Sequence, residues 1–327
     1  MTAPILARLY ARLRPMIPWL VGAAIIAVIA RNVPIAQFRA SLGRGPHLRL
    51  AVAELLITAA VLSTDTFSTW IGMRVLRLRW PLRRILVLRG AMYVLFLINY
   101  AAGQGGFGYA LYKSGVAPLR ATGATLFLIG TNLAALLLFT FSVWALGTHE
   151  AIPAMWWVLV CGVVAFGIYL VVISLRWSFV ARRQLLAPLF EAGIVGHATA
   201  IIGRIPHVFA ILLAFWIAMR VWGLAVPFSV GATLLPAVAL AAVLPISPAG
   251  LGTTQAAMVA LFAPYAVGAT ADERAGAVLA FGIVHFVYGV LFSALFGAVS
   301  LPLAKRAGLI GTHSSDSQPT VVTESVR

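Results

Sequence analysis

The sequence predicts an all-α polytopic membrane protein with about six full transmembrane helices and two re-entrant or broken hairpins of opposite orientation. Three observations predict it. Of 327 residues, 62% are hydrophobic types and 10% are charged, where an ordinary soluble domain carries about 25% charged and about 45–50% apolar residues. Six stretches reach the ~20 mostly apolar residues that a span requires. The basic residues fall between those stretches in an order that assigns most loops to one side.

The same composition excludes other classes. A soluble protein of this size cannot hide so much apolar surface, and the single Cys161 excludes a disulfide scaffold. A formal net charge of +16, from 24 Lys+Arg against 8 Asp+Glu, can signal nucleic acid. Here no basic run stands apart from an apolar segment, so the arginines are topology signals and contacts to anionic lipid headgroups.

The elements follow in order. Residues 16–33, after Arg8, Arg12 and Arg14, form a first span, retained because no clear small-residue cleavage site follows it. Loop 31–49 carries Arg31, Arg39, Arg44 and Arg49, and its Ile35, Phe38 and Leu42 suit a short helix lying on the outer surface. Further spans are expected at 50–73, 118–147, 153–175, 197–222 and 273–302. Between them, 85–117 and 226–268 are long enough to enter the bilayer, break and leave. The first break is expected at Gly103, Gly105, Gly106 and Gly108, the second at Pro245, Pro248, Gly250 and Gly252. Residues 1–303 make one transmembrane domain, and 304–327 a polar, disordered cytoplasmic tail. The nine tryptophans, including Trp156, Trp157, Trp177 and Trp222, suit interface anchors.

Charge decides between crossing segments and hairpins. If both broken regions crossed fully, Arg176, Arg182 and Arg183 would lie outside, inverting the positive-inside rule. With two hairpins, loop 74–89, Lys113, Arg120, Arg176, Arg182, Arg183, Lys305, Arg306 and both termini are cytoplasmic, and loop 31–49 is the exception. The segments 50–147 and 197–302 then become two span–hairpin–span units of opposite orientation, an inverted repeat of the transporter kind.

Chemistry is expected where the apolar pattern fails. Gly103, Gln104, Gly105 and Gly106, following Asn99, could leave peptide N–H groups free for an anionic or hydroxylated headgroup, or simply let helices approach closely. Ser247, Thr253, Thr254 and Gln255, after Gly250 and Gly252, stand at a helix start, where a phosphate or a plain N-cap would fit equally. Asp65 lies in a polar stretch of the second span. Either Arg204 clamps a lipid phosphate with the hairpin donors, or Asp65 pairs with Arg204 or Arg89 to lock the bundle. Arg204 shares a helix face with His207, and His285 with Tyr288. His285 is a packing donor or a proton relay, while Glu54 and Arg220, near span ends, are expected to snorkel.

The run LPISPAGLGTTQAAMVALFAPYAVGATADERAGAVLAFGIVHF resembles a signature of the transmembrane, flippase-like domain of lysylphosphatidylglycerol synthases and their standalone relatives. Pro245, Ser247, Pro248, Gly250, Leu251 and Gly252 match that family's turn, with Gln255 where Glu is usual. Upstream, Asn99, Gly103, Gly106, Gly115 and Val116 match a second segment, with Gln104 where Arg is common and Phe107 where Glu is common. Arg79-Trp80 matches an Arg-Trp after the second span. The similarity covers most of residues 16–302. It implies a standalone member without the aminoacyltransferase domain. Two positions lack the carboxylates that accompany cationic aminoacyl headgroups in the family.

The expected function is therefore lipid translocation between leaflets of a bacterial plasma membrane. The alternatives are a non-transporting lipid-binding component of an envelope lipid pathway and a proton-coupled small-solute permease, with Asp65 as the titrating group. No nucleotide loop, metal spacing or nucleophile motif is present in the sequence, so neither an enzyme nor a cofactor is expected. The expected partners are a membrane lipid as substrate, anionic headgroups at the arginine loops, and a second copy or an envelope-pathway protein; no nucleic acid is expected.

Overall fold

A computed structural model of the chain describes residues 20, 24–28, 31, 35–146, 153–175, 183–243 and 250–310. The expected span at 16–33 and the tail beyond 310 lie largely outside the described residues, as do Pro245, Ser247 and Pro248. Among the described residues ten α-helices follow from residue 35: α1 Ile35–Arg44, α2 His47–Val75, α3 Leu82–Phe96, α4 Tyr100–Lys113, α5 Pro118–Leu146, α6 Pro153–Ser174, α7 Ala187–Trp222, α8 Phe228–Val243, α9 Thr253–Phe262 and α10 Ala271–Arg306. No strand occurs among the described residues. Five helices (α2, α5, α6, α7 and α10) are long and apolar enough to cross a membrane. The protein is an all-α polytopic membrane protein.

The remaining helices are too short to do so alone. At a 1.5 Å rise per residue, the 15 residues of α3 and 14 of α4 reach about 21–23 Å, against a hydrocarbon core of about 30 Å. The two fold back on each other: Gly103 lies against Phe96, and Gly106 against Met92 and Leu95, so α3 and α4 run antiparallel. α8 and α9, of 16 and 10 residues, form the second such pair.

The first break is not where the glycines predict it. It falls at Leu97–Asn99, and all four glycines lie inside α4. Asn99 starts that helix by accepting a hydrogen bond from the Ala102 N–H on its Oδ1 at 2.7 Å, the ordinary N-cap arrangement. The glycines serve packing. Gly103 and Gly106 admit α3, Gly108 admits Thr125 of α5, and Gly105 faces open space. At the second break glycine acts as expected. Gly250 and Gly252 have φ of 76° and 86°, a region L side chains rarely adopt. The expected span at 197–222 is longer too. α7 begins at Ala187, with a kink at Gly193 (φ 58°, ψ −174°), a conformation essentially restricted to glycine.

The packing has an internal two-fold pattern. α2 and α7 pack directly and antiparallel: Thr64 meets His207, Asp65 meets Arg204, Ile71 meets Gly203 and Val75 meets Gly196. Exchanging the first five helices for the last five maps the other main contacts onto one another. α2–α3 corresponds to α7–α8, α3–α4 to α8–α9, α4–α5 to α9–α10, α3–α10 to α8–α5, α2–α10 to α7–α5, and α1–α10 to α6–α5. Only α6 on α7 lacks a counterpart of that strength, since α1 has 10 residues where α6 has 22. This is the contact pattern of an inverted repeat. The short amphipathic α1 packs on α10, with Leu42 against the core.

Candidate functional site

α2 is apolar by composition, yet it buries Glu54, Thr58, Asp65, Thr66, Ser68 and Thr69. Most of its hydroxyls are satisfied within the helix: Thr58, Thr66 and Ser68 each donate to the carbonyl one turn back, which is how such residues are tolerated in an apolar helix. The two carboxylates cannot be satisfied that way. About three turns apart along the helix, they face the same side.

Asp65 is held by both candidate arginines rather than by one. Arg89 of α3 donates from Nε to Oδ2 at 2.5 Å, and Arg204 of α7 from Nη1 to Oδ1 at 2.8 Å. Arg204 also reaches Thr69 Oγ1 at 3.3 Å, and Arg89 reaches Gln104 Oε1 of α4 at 3.3 Å. His207 places Nε2 3.8 Å from Asp65 Oδ1, and its Nδ1 is 3.3 Å from Thr64 Oγ1. Asp65, Arg89 and Arg204 are each no more than 4% exposed. Charges buried this far persist only when paired and hydrogen-bonded. The locking account of Asp65 therefore holds geometrically, but with a remainder: two guanidinium cations against one carboxylate leave one net positive charge.

Glu54 is 1% exposed and does not snorkel. Its Oε1 lies 2.5 Å from Nδ1 of His285 on α10, and the imidazole is wedged between Phe215 and Phe281, with ring centroids 4.6 and 5.5 Å away. Sequence reasoning missed this pair. Its signal was the three-turn interval from Glu54 to Asp65, which sets both acids on one helix face.

Both groups line a single cavity of about 420 Å³ whose wall includes Asp65, Arg89, Gln104, Arg204 and His207 as well as Glu54, Thr254, Gln255 and His285. The two hairpins meet here: Arg89 and Gln104 come from the first, Thr254 and Gln255 from the second. The rest of the wall is mostly apolar, including Val61, Leu136 and Val208. Among the described residues, five buried side-chain polar atoms lack a partner. Three of them (Arg204 Nε, Asn132 Oδ1 and Thr254 Oγ1) belong to residues of this wall, where an unmet donor or acceptor is costly.

The other sequence candidates are placed differently. Gln255 spans the second turn: its Oε1 accepts from the Gly252 N–H at 2.6 Å and its Nε2 donates to the Gly282 carbonyl at 3.2 Å, so its amide is committed to structure. Asn99, Gly103, Gly105, Gly106, Gly250 and Gly252 are not part of the cavity wall. Helical hydrogen bonding in α4 removes the free peptide N–H groups that its glycines were expected to offer. Ser247 lies outside the described residues. No three His, Cys, Asp or Glu side chains gather among the described residues in a way that could hold a metal ion.

Fold and site define a polytopic helical membrane protein with a charged cavity lined in part by two hairpins of short helices. No family model matches the chain, and neither a curated protein nor a solved structure matches it.

Proposed function

We propose that the protein moves a phosphate-bearing amphiphilic lipid between the leaflets of the plasma membrane, sheltering its headgroup in the cavity between the hairpins. The observation that carries this reading is the surplus guanidinium charge at Asp65, with Arg204 Nε left unpartnered on the cavity wall. A phosphate supplies an acceptor for that donor and neutralises the surplus; Thr254 Oγ1 and Asn132 Oδ1, unpartnered on the same wall, suit other polar groups of a headgroup. The volume falls within the ~300–1,000 Å³ usual for small-molecule sites. Acyl chains would remain against the exposed apolar flanks of the spans, such as Val287, Leu291 and Leu295 of α10.

The inverted contact pattern supports translocation over static binding, because two halves that meet at one site can open alternately to either side. On this reading the chain is a counterpart of the flippase-like domain it resembles, with cytoplasmic termini. Its cavity suits an anionic headgroup better than a cationic aminoacyl one.

The test is reconstitution into phosphatidylcholine vesicles carrying a fluorescent phosphatidylglycerol in one leaflet. Arg204→Gln leaves Asp65 paired with Arg89 but removes the surplus charge and the free donor. A charged hydrogen bond is worth about 1.5–3 kcal/mol, so translocation is expected to fall roughly 10- to 100-fold. Equal rates for Arg204→Gln and wild type overturn the proposal.

A further inference from the structure

Resting on that reading, we infer that the Glu54–His285 pair is a proton-binding site thermodynamically coupled to the headgroup site, so that a proton enters the cavity with each anionic headgroup. The argument starts from burial. Glu54 is 1% exposed, and the only ion-pair partner it has among the described residues is His285. With one proton held between His285 Nδ1 and Glu54 Oε1, 2.5 Å apart, the pair is neutral as a unit and neither group is left alone. Without that proton the pair carries one net negative charge in an apolar wall, a state tolerated only if positive charge elsewhere in the cavity offsets it.

That positive charge is present, and its amount decides the coupling. The titratable and charged groups facing the pair across the cavity are Asp65 on α2, Arg89 and Tyr93 on α3, Tyr100 on α4, and Arg204 and His207 on α7. α5 and α9 contribute only uncharged side chains there: Asn132, Leu136, Thr254 and Gln255. Counting His207 and the tyrosines as neutral, the cavity carries one net positive charge when the pair holds its proton and none when it does not. Two occupancies are then electrically balanced. In one, the proton is bound and a monoanionic headgroup sits at Arg204; in the other, both are gone and the Glu54 carboxylate offsets the surplus guanidinium. Proton alone leaves a buried positive excess, and anion alone a negative one. Each ligand therefore raises the affinity for the other by the same factor. The proton comes from water at the face where the headgroup enters and returns to water where it leaves.

The sign is definite: headgroup binding weakens as pH rises and the pair empties. In phosphatidylcholine vesicles with leaflet-asymmetric fluorescent phosphatidylglycerol, wild-type translocation is expected to rise as pH falls. The slope approaches about tenfold per pH unit where one proton is linked. Glu54→Gln keeps an acceptor for His285 and leaves the cavity positive at every pH, so its profile should be flat and high. A second measurement needs no variant: short-chain phosphatidylglycerol added to detergent-solubilised wild type in weak buffer, at a pH on the rising part of that profile, should draw protons from solution, detected by an indicator dye. A flat wild-type profile, an unchanged slope in Glu54→Gln, or no proton uptake overturns the coupling. These outcomes separate from failure of the lipid reading, which shows as no wild-type translocation at any pH, or as Arg204→Gln equal to wild type; the coupling falls with it.

Discussion

The two ends of the cavity solve one problem in opposite ways. Each buries a carboxylate of α2 that the surrounding apolar wall cannot solvate. At Asp65 the solution is fixed cations: two guanidiniums within 2.8 Å and an imidazole at 3.8 Å. At Glu54 it is one imidazole at 2.5 Å, a partner whose charge depends on a proton. The first end is overcompensated and permanently charged, whereas the second can change its charge without moving an atom heavier than hydrogen. A fixed site beside a switchable one is what the proposed carriage of charged headgroups requires, and neither end alone provides it.

The contrast is most exposed by removing the fixed carboxylate. Asp65→Asn keeps the size of the side chain but leaves Arg89 and Arg204 buried with no counter-ion. Breaking a buried pair by deleting one partner costs about 3–5 kcal/mol, and here two cations lose theirs. Thermal unfolding in detergent, followed by loss of helical circular dichroism, is expected to show the largest shift of any single change in the cavity. Glu54→Gln, which leaves both guanidiniums on Asp65 and adds no charge, should lose far less. Equal losses would mean that both ends are permanent ion pairs, and the contrast would fail.

Much of this arrangement was legible in the sequence and some was not, for identifiable reasons. Spans are legible because the bilayer imposes length and apolarity on consecutive residues, and five of the six expected stretches coincide with long helices. The hairpins were legible from the Arg distribution, since only a non-crossing layout keeps Arg182 and Arg183 with the other loop cations. Asp65, Arg89, Arg204 and His207 stood out because ionisable groups within spans are rare and costly. The glycine run of α4 misled because helix packing and loop formation both select glycine; the true break is set by Asn99, one capping side chain. Glu54 was lost because its partner, His285, is 231 positions away, and the one local sign was its three-turn interval from Asp65.

The next effect belongs to the hairpin facing the switchable end. Gln255→Leu is nearly the same size but abandons two buried backbone groups, the Gly252 N–H and the Gly282 carbonyl. An unsatisfied buried donor or acceptor costs about 1–3 kcal/mol. The Gly252 N–H stands at the positive-φ turn where α9 starts, so the loss should be local. Hydrogen exchange at the start of α9 is expected to speed up more than exchange in α2 or α7. Uniform acceleration through the bundle would show that the second hairpin is not an independent unit.

The smallest effect is expected at the fixed end, from the same substitution in the first hairpin. Gln104 is also a buried glutamine on the cavity wall, but it meets side chains instead of backbone: Tyr100, and Arg89 Nη1 at 3.3 Å, near the long limit of a hydrogen bond. Arg89 keeps its 2.5 Å contact with Asp65 when Gln104 becomes Leu, so no charge is left unpaired and no backbone group is orphaned. Stability should fall by about 1 kcal/mol, the net worth of an ordinary hydrogen bond, and less than in Gln255→Leu. The guanidinium, freed from its weaker restraint, gains latitude to turn toward a phosphate, so translocation should be retained. A loss matching Gln255→Leu in the same unfolding assay would show that Gln104, rather than Asp65, anchors Arg89. The fixed end would then owe its rigidity to the hairpin and not to its ion pairs.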